Sequence, residues 1–405
     1  MGEAEGQRTA RRSAAGLACP GCGGADRLVF WRAKRMPVLC HAQCPTREAA
    51  LAVPCAPIEL ALCRACGLVY NQVFDEELIA YSAAYENALH FSPHFRAYAD
   101  ALARHLVEQR GIRGGRVLEV GCGDGQFLQR VCELGGNQGL GLDPAYDPER
   151  SAVSDDSDVR IVAATFEARL LEAFPADLIC CRHVLEHLDA PMTLLRTIRA
   201  AIGARRDVLL YFEVPNVLHT IERMGIWDII YEHCLYFTPD SLKRIFQDAG
   251  FEAVDGGDAY GGQFAWIEAR PATPRETESN GAPSSDLEQR AQDFQARSRA
   301  RMTATRERLL ANADAGRRAV VWGAGSKAVT MLNALGLDET IVAAAVDRNP
   351  RKHGHHVVGA GQRIIAPEEL PALQPDAVVV MNPLYRDEIA QELDALHLHP
   401  ELIVA

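Results

Sequence analysis

Val117-Leu-Glu-Val-Gly-Cys-Gly-Asp-Gly125 is the stretch that decides the fold of this chain. Its apolar residues predict a short buried strand, and apolar residues at helical spacing from Phe127 to Leu134 predict a helix after the glycines. The glycines let the backbone turn tightly and approach a ligand without Cβ atoms in the way. A strand, a glycine turn and a helix N-terminus in this order predict a small-molecule cofactor site at the carboxyl edge of a parallel sheet.

The spacing of the glycines bears on which cofactor is expected. It is G-x-G-x-G, and not the G-x-G-x-x-G that leaves room for a pyrophosphate over a helix. Glu119, two residues before the first glycine, would repel a phosphate but suits a cationic amino group. Gly139-Leu-Gly-Leu-Asp143 predicts a second strand with an acid at its end. The alternative is an ordinary strand, turn and helix with incidental glycines, and the position of Asp143 argues against it.

This region resembles the class I S-adenosylmethionine (SAM) methyltransferases, whose first motif is (E/D)-x-G-x-G-x-G. The resemblance implies an α/β fold with a Rossmann-like core, in which the glycine loop carries the methionine end of SAM. It also implies that Asp143 binds the ribose hydroxyls and that the adenine lies near the end of the third strand. The expected SAM contacts are Glu119, Gly121, Cys122, Gly123, Gly125, Asp143, Pro144, Thr165, Phe166 and Arg182.

Length and composition limit the classes of function. The 405 residues, 48% of them hydrophobic, suffice for two to three domains. The net charge of −12 and the lack of a basic block beyond Arg8–Arg12 argue against a nucleic-acid partner. No apolar run is long enough to span a bilayer, and no signal peptide is recognisable, so no membrane partner is expected. Twelve cysteines without an export signal favour reduced thiols in the cytoplasm.

Two C-x-x-C pairs near the N-terminus predict a structural zinc site. Cys19-Pro-Gly-Cys22 and Cys63-Arg-Ala-Cys66 each place two thiolates on a tight turn, and together they complete a tetrahedral Zn²⁺ site. With four protein ligands the ion would be closed to substrate and would serve folding. A redox dithiol is the alternative for a single pair, but no thioredoxin-like strand and helix surround either one. Three more cysteines are left as alternative ligands or spare buried thiols, namely Cys40, Cys44 and Cys55.

The rest of the chain divides into further segments. Residues 75–110 are predicted to be helical, and strands are predicted at 161–166, 176–181, 208–214, 251–254 and 263–269, with a helix at 241–249. A proline-containing linker (271–285) and a charged surface helix (286–312) follow. Strands at 318–322, 341–346 and 376–381, a helix at 329–335 and the turn Gly323-Ala-Gly-Ser-Lys327 then predict a second, smaller Rossmann-like half. Its fingerprint for NAD is partial, so a scaffold that helps to hold the substrate is favoured.

The order of these modules resembles the three-domain sugar C-methyltransferases that act on nucleotide-linked deoxy-keto-sugars. The predicted organisation is a disordered tail (1–18), a zinc-binding module (19–74), a SAM methyltransferase domain with a helical lid (75–271), a linker and strut helix (272–315) and a C-terminal Rossmann-like substrate-supporting domain (316–405). The anchors of the resemblance are the two C-x-x-C pairs, residues 117–125, Glu232-His-Cys-Leu-Tyr-Phe237 and Val321-Trp-Gly-Ala-Gly-Ser-Lys327. It implies that the Glu-His segment lies beside the methyl acceptor. His187 and a lid tyrosine, Tyr85, are expected to line the same pocket.

The chain departs from that family at several places. It reads Ile229-Ile230-Tyr231 before Glu232-His233, where the family has Tyr-His or a near variant. It has Val-Leu-Glu-His at 184–187 where the family has Val-Leu-Ala-His, and 381–386 replaces the family's Leu-Pro-Trp-Asn segment. These differences leave open which acceptor is used and whether it is methylated on carbon, oxygen or nitrogen. Monomer and dimer are also left open.

Methylation of carbon requires a base to remove a proton next to a carbonyl group. The hypothesis is that His233 is this base and Glu232 orients it, while Tyr231 or Tyr85 stabilises the enolate oxygen. The alternative is that Glu232 and His233 are a salt-bridged pair that caps a turn. His187 is predicted to position the acceptor, whereas the remaining histidines singled out are predicted to face solvent, namely His183, His219, His353, His355 and His356.

Two other functions stay open at this point. One is an O- or N-methyltransferase of secondary metabolism that acts on a glycan or a small metabolite. The other is a SAM-binding scaffold without activity that docks a partner through its cysteine module.

Overall fold

Three β-sheets organise the part of the chain that the computed structural model describes, which is residues 18–79, 86, 88–154, 156–273 and 285–405. The predicted tail therefore falls almost wholly outside the described residues, as does most of the predicted linker. The strands, in chain order, are β1 (Arg27–Pro37), β2 (Cys55–Cys63), β3 (Val69–Asn71), β4 (Arg116–Val120), β5 (Gln138–Leu142), β6 (Val159–Val162), β7 (Leu178–Arg182), β8 (Leu209–Pro215), β9 (Leu235–Tyr236), β10 (Phe251–Ala259), β11 (Phe264–Pro271), β12 (Ala319–Trp322), β13 (Val342–Val346), β14 (Ile364–Ile365), β15 (Ala377–Val380) and β16 (Glu401–Val404).

The helices connect these strands and cover the sheets. They are α1 (Arg47–Leu51), α2 (Pro93–Arg104, continued by a π-helical turn at His105–Gln109), α3 (Gln126–Gly135), α4 (Ala168–Ala173), α5 (Pro191–Ile202), α6 (Val217–Arg223), α7 (Pro239–Asp248), α8 (Ser285–Asp314), α9 (Ser326–Leu335), α10 (Leu370–Leu373) and α11 (Arg386–Ala395). Short 3₁₀ turns lie at Glu76–Leu78, Pro148–Arg150, Leu185–His187, Ile226–Asp228, Pro350–Lys352, Pro367–Glu369 and Pro383–Tyr385. No described helix is both long and apolar enough to cross a membrane.

The central sheet has seven strands in the order β10-β11-β8-β7-β4-β5-β6. Strands β6, β5, β4, β7 and β8 are parallel, and β11 and β10 add antiparallel strands at one edge. The chain leaves β4 for β5 on one side and later returns to β7 on the other. The connections at the carboxyl ends of β4 and β7 therefore diverge, which opens a crevice there.

The antiparallel sheet of the N-terminal part takes its last strand from the middle of the chain. Its order is β1-β2-β3-β9, and the short strand β9 pairs with β3 through Val69 opposite Tyr236 and Tyr70 opposite Leu235. Because β9 comes two residues after His233, the segment that contains Glu232 and His233 is attached directly to the cysteine module.

The C-terminal sheet is parallel throughout, in the order β14-β13-β12-β15-β16. One hydrophobic cluster joins its face to the N-terminal sheet and includes Trp227, Ile229, Ile230 and Tyr231. The apolar residues that depart from the family pattern before Glu232 therefore lie in a shared core. This burial explains why isoleucine is suitable at two of these positions.

Most predicted elements are confirmed, with shifted ends. The third strand stops at Val162, so Thr165 and Phe166 lie in the loop after it and not within the strand. The charged helix is confirmed as the 30-residue α8, and it is more than a surface strut. Phe294 on this helix is 1% exposed and meets the ring of Phe30 at a centroid distance of 6.2 Å. One face of α8 thus packs on β1.

Candidate active site

A cavity of about 890 Å³ opens over the carboxyl ends of β4, β5 and β7. This is the crevice that the strand order creates. The predicted SAM contacts that line it are Glu119, Gly121, Cys122, Gly123, Asp143, Pro144, Thr165, Phe166 and Arg182. Gly125 is the exception. A Cβ atom there would lie 2.4 Å from Ile161 Cδ1, so this glycine serves packing between the loop and β6.

The glycine loop has the backbone that its sequence predicts. Gly121 and Gly123 both have positive φ angles, of 72° and 56°. A Cβ atom on Gly121 would lie 2.1 Å from Val184 Cγ2, whereas one on Gly123 would meet no atom within 4 Å. The N–H group of Gly123 donates a hydrogen bond of 2.9 Å to Asp143 Oδ2, which ties the loop to the end of β5. The open space beside Gly123 suits close approach of a ligand to the backbone.

Glu119 places an unsatisfied carboxylate at the cavity wall. Its side chain is buried, and its Oε2 atom has no hydrogen-bond partner among the described residues. Burial raises the pKa of Glu119 to about 8, which Arg182 opposes and the charges of Asp143 and Asp124 reinforce. A ligand with a cationic amino group would supply the missing partner. The residues present therefore fit SAM.

A buried network that the sequence did not predict lies at the ends of β7 and β8. Glu213 has no exposed surface, and it accepts hydrogen bonds from Tyr98 and Tyr211. Arg182 Nε lies 3.3 Å from Glu213 Oε1, and its guanidinium stacks over Phe127 at 4.2 Å from the ring centroid. The network fixes Arg182 at the cavity wall. The sequence feature that indicates such a network is the charged residue Glu213 within the otherwise apolar run of β8.

His183 does not face solvent as predicted. It lines the cavity, and its backbone is left-handed, with a φ of 55°. This conformation is uncommon for residues other than glycine. It turns the ring back towards β8, where Nε2 lies 3.2 Å from Glu213 Oε1 and the ring packs on Phe264. His353, His355 and His356 are likewise half-buried rather than solvated.

The predicted catalytic residues lie at different depths. His187 lines the cavity, and His233 packs edge-on against it with ring centroids 4.8 Å apart. Glu232 has no exposed surface, and its Oε2 accepts a hydrogen bond of 2.9 Å from the Cys40 N–H. Neither Glu232 nor His233 is among the cavity-lining residues.

Of the two tyrosines of the hypothesis, Tyr231 lies away from the cavity. The Tyr231 hydroxyl accepts a hydrogen bond of 2.9 Å from the Asp75 N–H, and its ring packs on Phe74, so the structure places it in the core. Tyr85 lies outside the described residues.

Burial keeps the two histidines unprotonated. It lowers the pKa of His187 to about 4, although a hydrogen bond to the backbone of Glu232 acts in the opposite direction. Burial also lowers the pKa of His233 well below its usual range, and the neighbouring His187 adds to this effect. Both imidazoles are therefore neutral near pH 7 and can accept a proton or a metal ion.

The C-terminal part of the chain contributes to the same cavity through Arg351. Glu86, which also lines it, is 3% exposed and accepts a hydrogen bond of 2.9 Å from Asn349 Nδ2. The Oε2 atom of Glu86 lies 3.4 Å from Arg351 Nη1 and 3.5 Å from Arg150 Nη1. One carboxylate therefore joins residues that precede β4, follow β5 and follow β13.

The four cysteines of the predicted zinc site come together. Their sulfur atoms all lie within 4.8 Å of one another, with Cys19 Sγ 3.5 Å from Cys66 Sγ and Cys22 Sγ 3.6 Å from Cys63 Sγ. Tetrahedral Zn²⁺ with bonds of 2.3 Å requires sulfur atoms about 3.8 Å apart. The cluster therefore fits a structural zinc ion. Cys40, Cys44 and Cys55 are outside it.

Comparisons with known proteins agree with this geometry. A family described as a methyltransferase domain matches residues 90–255, and one described as a C-methyltransferase C-terminal domain matches residues 272–404. The C-methyltransferase NovU of Streptomyces niveus is 25% identical over 355 residues, which are 82% of this chain and 82% of that protein. The expected class I methyltransferase fold is confirmed.

Similar solved structures include two methyltransferases. Magnesium protoporphyrin IX methyltransferase (ChlM) from Synechocystis PCC 6803, with bound SAH, is 15% identical, with a TM-score of 0.34 over 44% of this chain and 84% of the other. N,N-8-amino-8-demethyl-D-riboflavin dimethyltransferase (RosA) from Streptomyces davawensis is 24% identical, with a TM-score of 0.35 over 44% of this chain and 54% of the other.

Proposed function

We propose, from the premise that this chain is a SAM-dependent methyltransferase with a C-methyltransferase C-terminal domain, that it methylates a carbon atom beside a carbonyl group. The acceptor in this proposal is a small keto compound, specifically a nucleotide-linked deoxy-keto-sugar. SAM supplies an electrophilic methyl group when it is bound. The chain itself must hold the acceptor in line with that group, remove a proton from it and exclude water.

The observation that carries the proposal is a pair of neutral histidines, His187 at the cavity wall and His233 packed against it. An enolate forms only if a base takes the proton next to the carbonyl, and a protonated imidazole cannot do so. The lowered pKa values of His187 and His233 keep both rings in the basic form. Negative charge that develops on the acceptor would in turn stabilise a ring once it has taken the proton.

The two rings have different positions in this scheme. His187 lies at the surface of the cavity, and the backbone of Glu232 accepts a hydrogen bond from it, which fixes the orientation of its ring. His233 lies behind His187, where Glu232 and the pairing of β9 hold its segment in place. We assign to His233 the role of the base that takes the proton. We assign to His187 the contact with the substrate that receives the methyl group.

The size of the cavity and its boundary support a large acceptor. It extends beyond the SAM contacts to Arg150 and to Arg351 from the C-terminal part. Both arginines are paired with Glu86, and their remaining N–H groups suit an acceptor that carries phosphate groups, as a nucleotide-linked sugar does. The relative NovU is named a C-methyltransferase, and this supports carbon as the site of transfer.

The test replaces His233 and identifies the product. His233→Gln should lower methyl transfer by about 100-fold or more while the Kd for SAM stays unchanged, because a base contributes this order of acceleration. His219→Gln, a half-buried histidine outside the cavity lining, is the matched control and should keep the wild-type rate.

The same reaction, run with ¹³C-methyl SAM, distinguishes the proposed function from its alternatives. A methyl group on carbon resists mild hydrolysis and has the ¹³C chemical shift of an aliphatic methyl group. An O- or N-methyl product would contradict C-methylation. Near-normal turnover of His233→Gln would contradict the assigned base, and no product from any keto acceptor would favour a scaffold protein.

A further inference from the structure

Three side chains beside the cavity form a cluster that the proposed function uses only in part. The metal-binding atoms of Glu186, His187 and His233 all lie within 4.8 Å of one another. Glu186 and His187 belong to the 3₁₀ turn after β7, and His233 precedes β9. Glu186 stands where the resembled family has alanine, so the carboxylate is a feature of this chain.

The carboxylate of Glu186 is buried without compensation. Its side chain is 1% exposed, and neither of its oxygen atoms has a hydrogen-bond partner among the described residues. The nearest cationic candidate is His183, whose Nδ1 lies 3.8 Å from Oε1. His233 Nδ1 is also buried and without a hydrogen-bond partner in the described part of the chain. Buried ionisable groups of this kind are normally paired or coordinate a metal.

We propose that Glu186, His187 and His233 bind one divalent transition-metal ion. Two imidazoles and one carboxylate are a ligand set that suits Zn²⁺, Co²⁺ and Fe²⁺ rather than Ca²⁺ or Mg²⁺. Ligand atoms of a tetrahedral ion with bonds of about 2.1 Å lie about 3.4 Å apart, so the cluster must contract slightly around the ion.

Three protein ligands leave at least one coordination position open, as in catalytic rather than structural sites. His187 is the one ligand of this set that lines the cavity, so an open position on its side of the ion would face the space that an acceptor would occupy. An oxygen atom of the acceptor, or water, would complete the coordination. This site differs from the cysteine cluster, where four thiolates close the coordination sphere.

The proposed metal site does not depend on the proposed function, but a bound ion would affect that function. An imidazole nitrogen that coordinates a metal has no lone pair left for a proton. A bound ion and proton abstraction by His233 therefore exclude each other. Added Zn²⁺ should slow wild-type turnover relative to enzyme that holds zinc on its cysteine cluster alone, and this sensitivity should be lost when Glu186 is replaced.

Metal stoichiometry of the full chain tests the proposal without SAM or acceptor. The chain is dialysed against buffered Zn²⁺, and bound metal is counted by mass spectrometry. Wild-type protein should hold one more ion than Glu186→Ala, whose affinity at this site should fall by about 100-fold or more. Asp189→Asn, an exposed acid three residues away, is the matched control and should keep the extra ion.

Co²⁺ distinguishes the two sites by their spectra. An ion bound by nitrogen and oxygen lacks the intense thiolate-to-metal charge-transfer band that the cysteine cluster would produce. Wild-type protein whose cysteine cluster already holds zinc should therefore gain only weak visible bands with added Co²⁺, and Glu186→Gln should not. Equal stoichiometry in wild type and Glu186→Ala, or a Co²⁺ spectrum that Glu186→Gln leaves unchanged, would overturn the proposal. A circular dichroism spectrum and melting temperature like those of the wild type show that the variants are folded.

Discussion

Glu119 is a carboxylate whose charge depends on the occupant of the cavity. Burial raises its pKa to about 8, against the opposing effect of Arg182 and with that of Asp143 and Asp124. The free protein therefore carries Glu119 largely protonated at pH 7. A cationic ligand favours the ionised form, so SAM binding should release a proton.

The first prediction follows from this linkage. Below pH 8 the Kd for SAM should weaken by about tenfold for each pH unit, because ionising Glu119 costs free energy there. Calorimetry in two buffers of different ionisation enthalpy should report close to one proton released at pH 7. Glu119→Gln should bind SAM more weakly and without this pH dependence, while Glu172→Gln, an exposed acid, should behave like the wild type. A pH-independent Kd in the wild type would contradict the assignment.

Glu213 is the opposite case, a buried carboxylate that stays ionised. Burial by itself would raise its pKa, but Arg182, His183 and Tyr98 lower it to about 2. Because the folded pKa lies below that of an unfolded glutamate, its contribution to stability is present above about pH 4.5 and is lost as the pH falls towards 2.

The second prediction concerns Glu213→Gln. At pH 7 the variant should lose about 3 kcal/mol of unfolding free energy, because Arg182 is left buried without a counter-charge. Urea unfolding should show that this difference shrinks between pH 4.5 and pH 2. Glu252→Gln, on the exposed surface of β10, provides the control. A difference that stays constant down to pH 2 would show that lost packing, and not charge, destabilises the variant.

For single residues, the sequence predicted those that belong to recognisable motifs. It did not predict those whose role depends on the direction in which the side chain points. Glu119 and Asp143 follow from the order of strand, glycine and acid. His183 was placed in solvent because spacing says nothing about a left-handed backbone, and that backbone turns its ring towards Glu213. Tyr231 was expected beside the acceptor, but the order Tyr-Glu-His does not reveal which neighbour faces the shared core.

Among the elements, β9 links the cysteine module to the segment that contains Glu232 and His233. Cys63 is the last residue of β2, β2 pairs with β3, and β3 pairs with β9 two residues after His233. A metal ion on the cysteines would therefore fix the strands that hold His233. In the proposed mechanism, this ion would thereby stabilise the acceptor side of the site.

The third prediction is that removal of zinc from the cysteine cluster impairs methyl transfer but leaves SAM binding nearly unchanged. Chelation, or Cys63→Ser, should lower methyl transfer by about tenfold or more, because small displacements of a catalytic group are costly. The Kd for SAM should change by less than about threefold, since β4 and β5 belong to a different sheet. Calorimetry for SAM and a turnover assay measure the two effects, and Cys55→Ser, outside the cluster, is the control. Full activity of folded, zinc-free protein would contradict this role.

The sequence predicts that a strand exists more reliably than it predicts which strand it pairs with. Alternating or continuous apolar runs predicted β4, β5, β7 and β8, and burial on both faces explains why they were recognisable. Leu235-Tyr236 could not be assigned to the N-terminal sheet, because the pairing joins residues more than 160 positions apart. Near the end of β6, Ile161 packs against Gly125 of the glycine loop, another contact that the order of residues does not reveal.

In the whole molecule, Glu86 connects parts of the chain that are distant in sequence. It receives the Asn349 amide and faces Arg351 from the C-terminal part and Arg150 from the loop after β5. Its own N–H donates a 3.0 Å hydrogen bond to the carbonyl of His41, in the N-terminal part. The N-terminal part, the central part and the C-terminal part of the chain therefore meet at one buried carboxylate, that of Glu86, at the edge of the cavity.

The last prediction is that Glu86→Gln loosens this junction. The amide keeps the size of the side chain and can still accept from Asn349, but it no longer neutralises Arg150 and Arg351, which are about 70% buried. Removing one partner of a buried charge cluster should cost about 2 kcal/mol or more in urea unfolding. Amide hydrogen exchange should rise around Asn349 and in the loop after β5, while Glu76→Gln, an exposed acid in the preceding turn, should change neither measurement.

The pattern of exchange decides what the junction does. If Glu86 holds the C-terminal part over the cavity, faster exchange should appear on both sides of the cavity, and the KM for the acceptor should rise more than the Kd for SAM. The proposed SAM contacts lie at the ends of β4 and β5, whose pairing does not involve Glu86, so SAM binding should be affected only at the rim of the cavity. Faster exchange confined to residues near Glu86 itself, with an unchanged KM, would mean that the carboxylate stabilises its own loop and does not couple the parts.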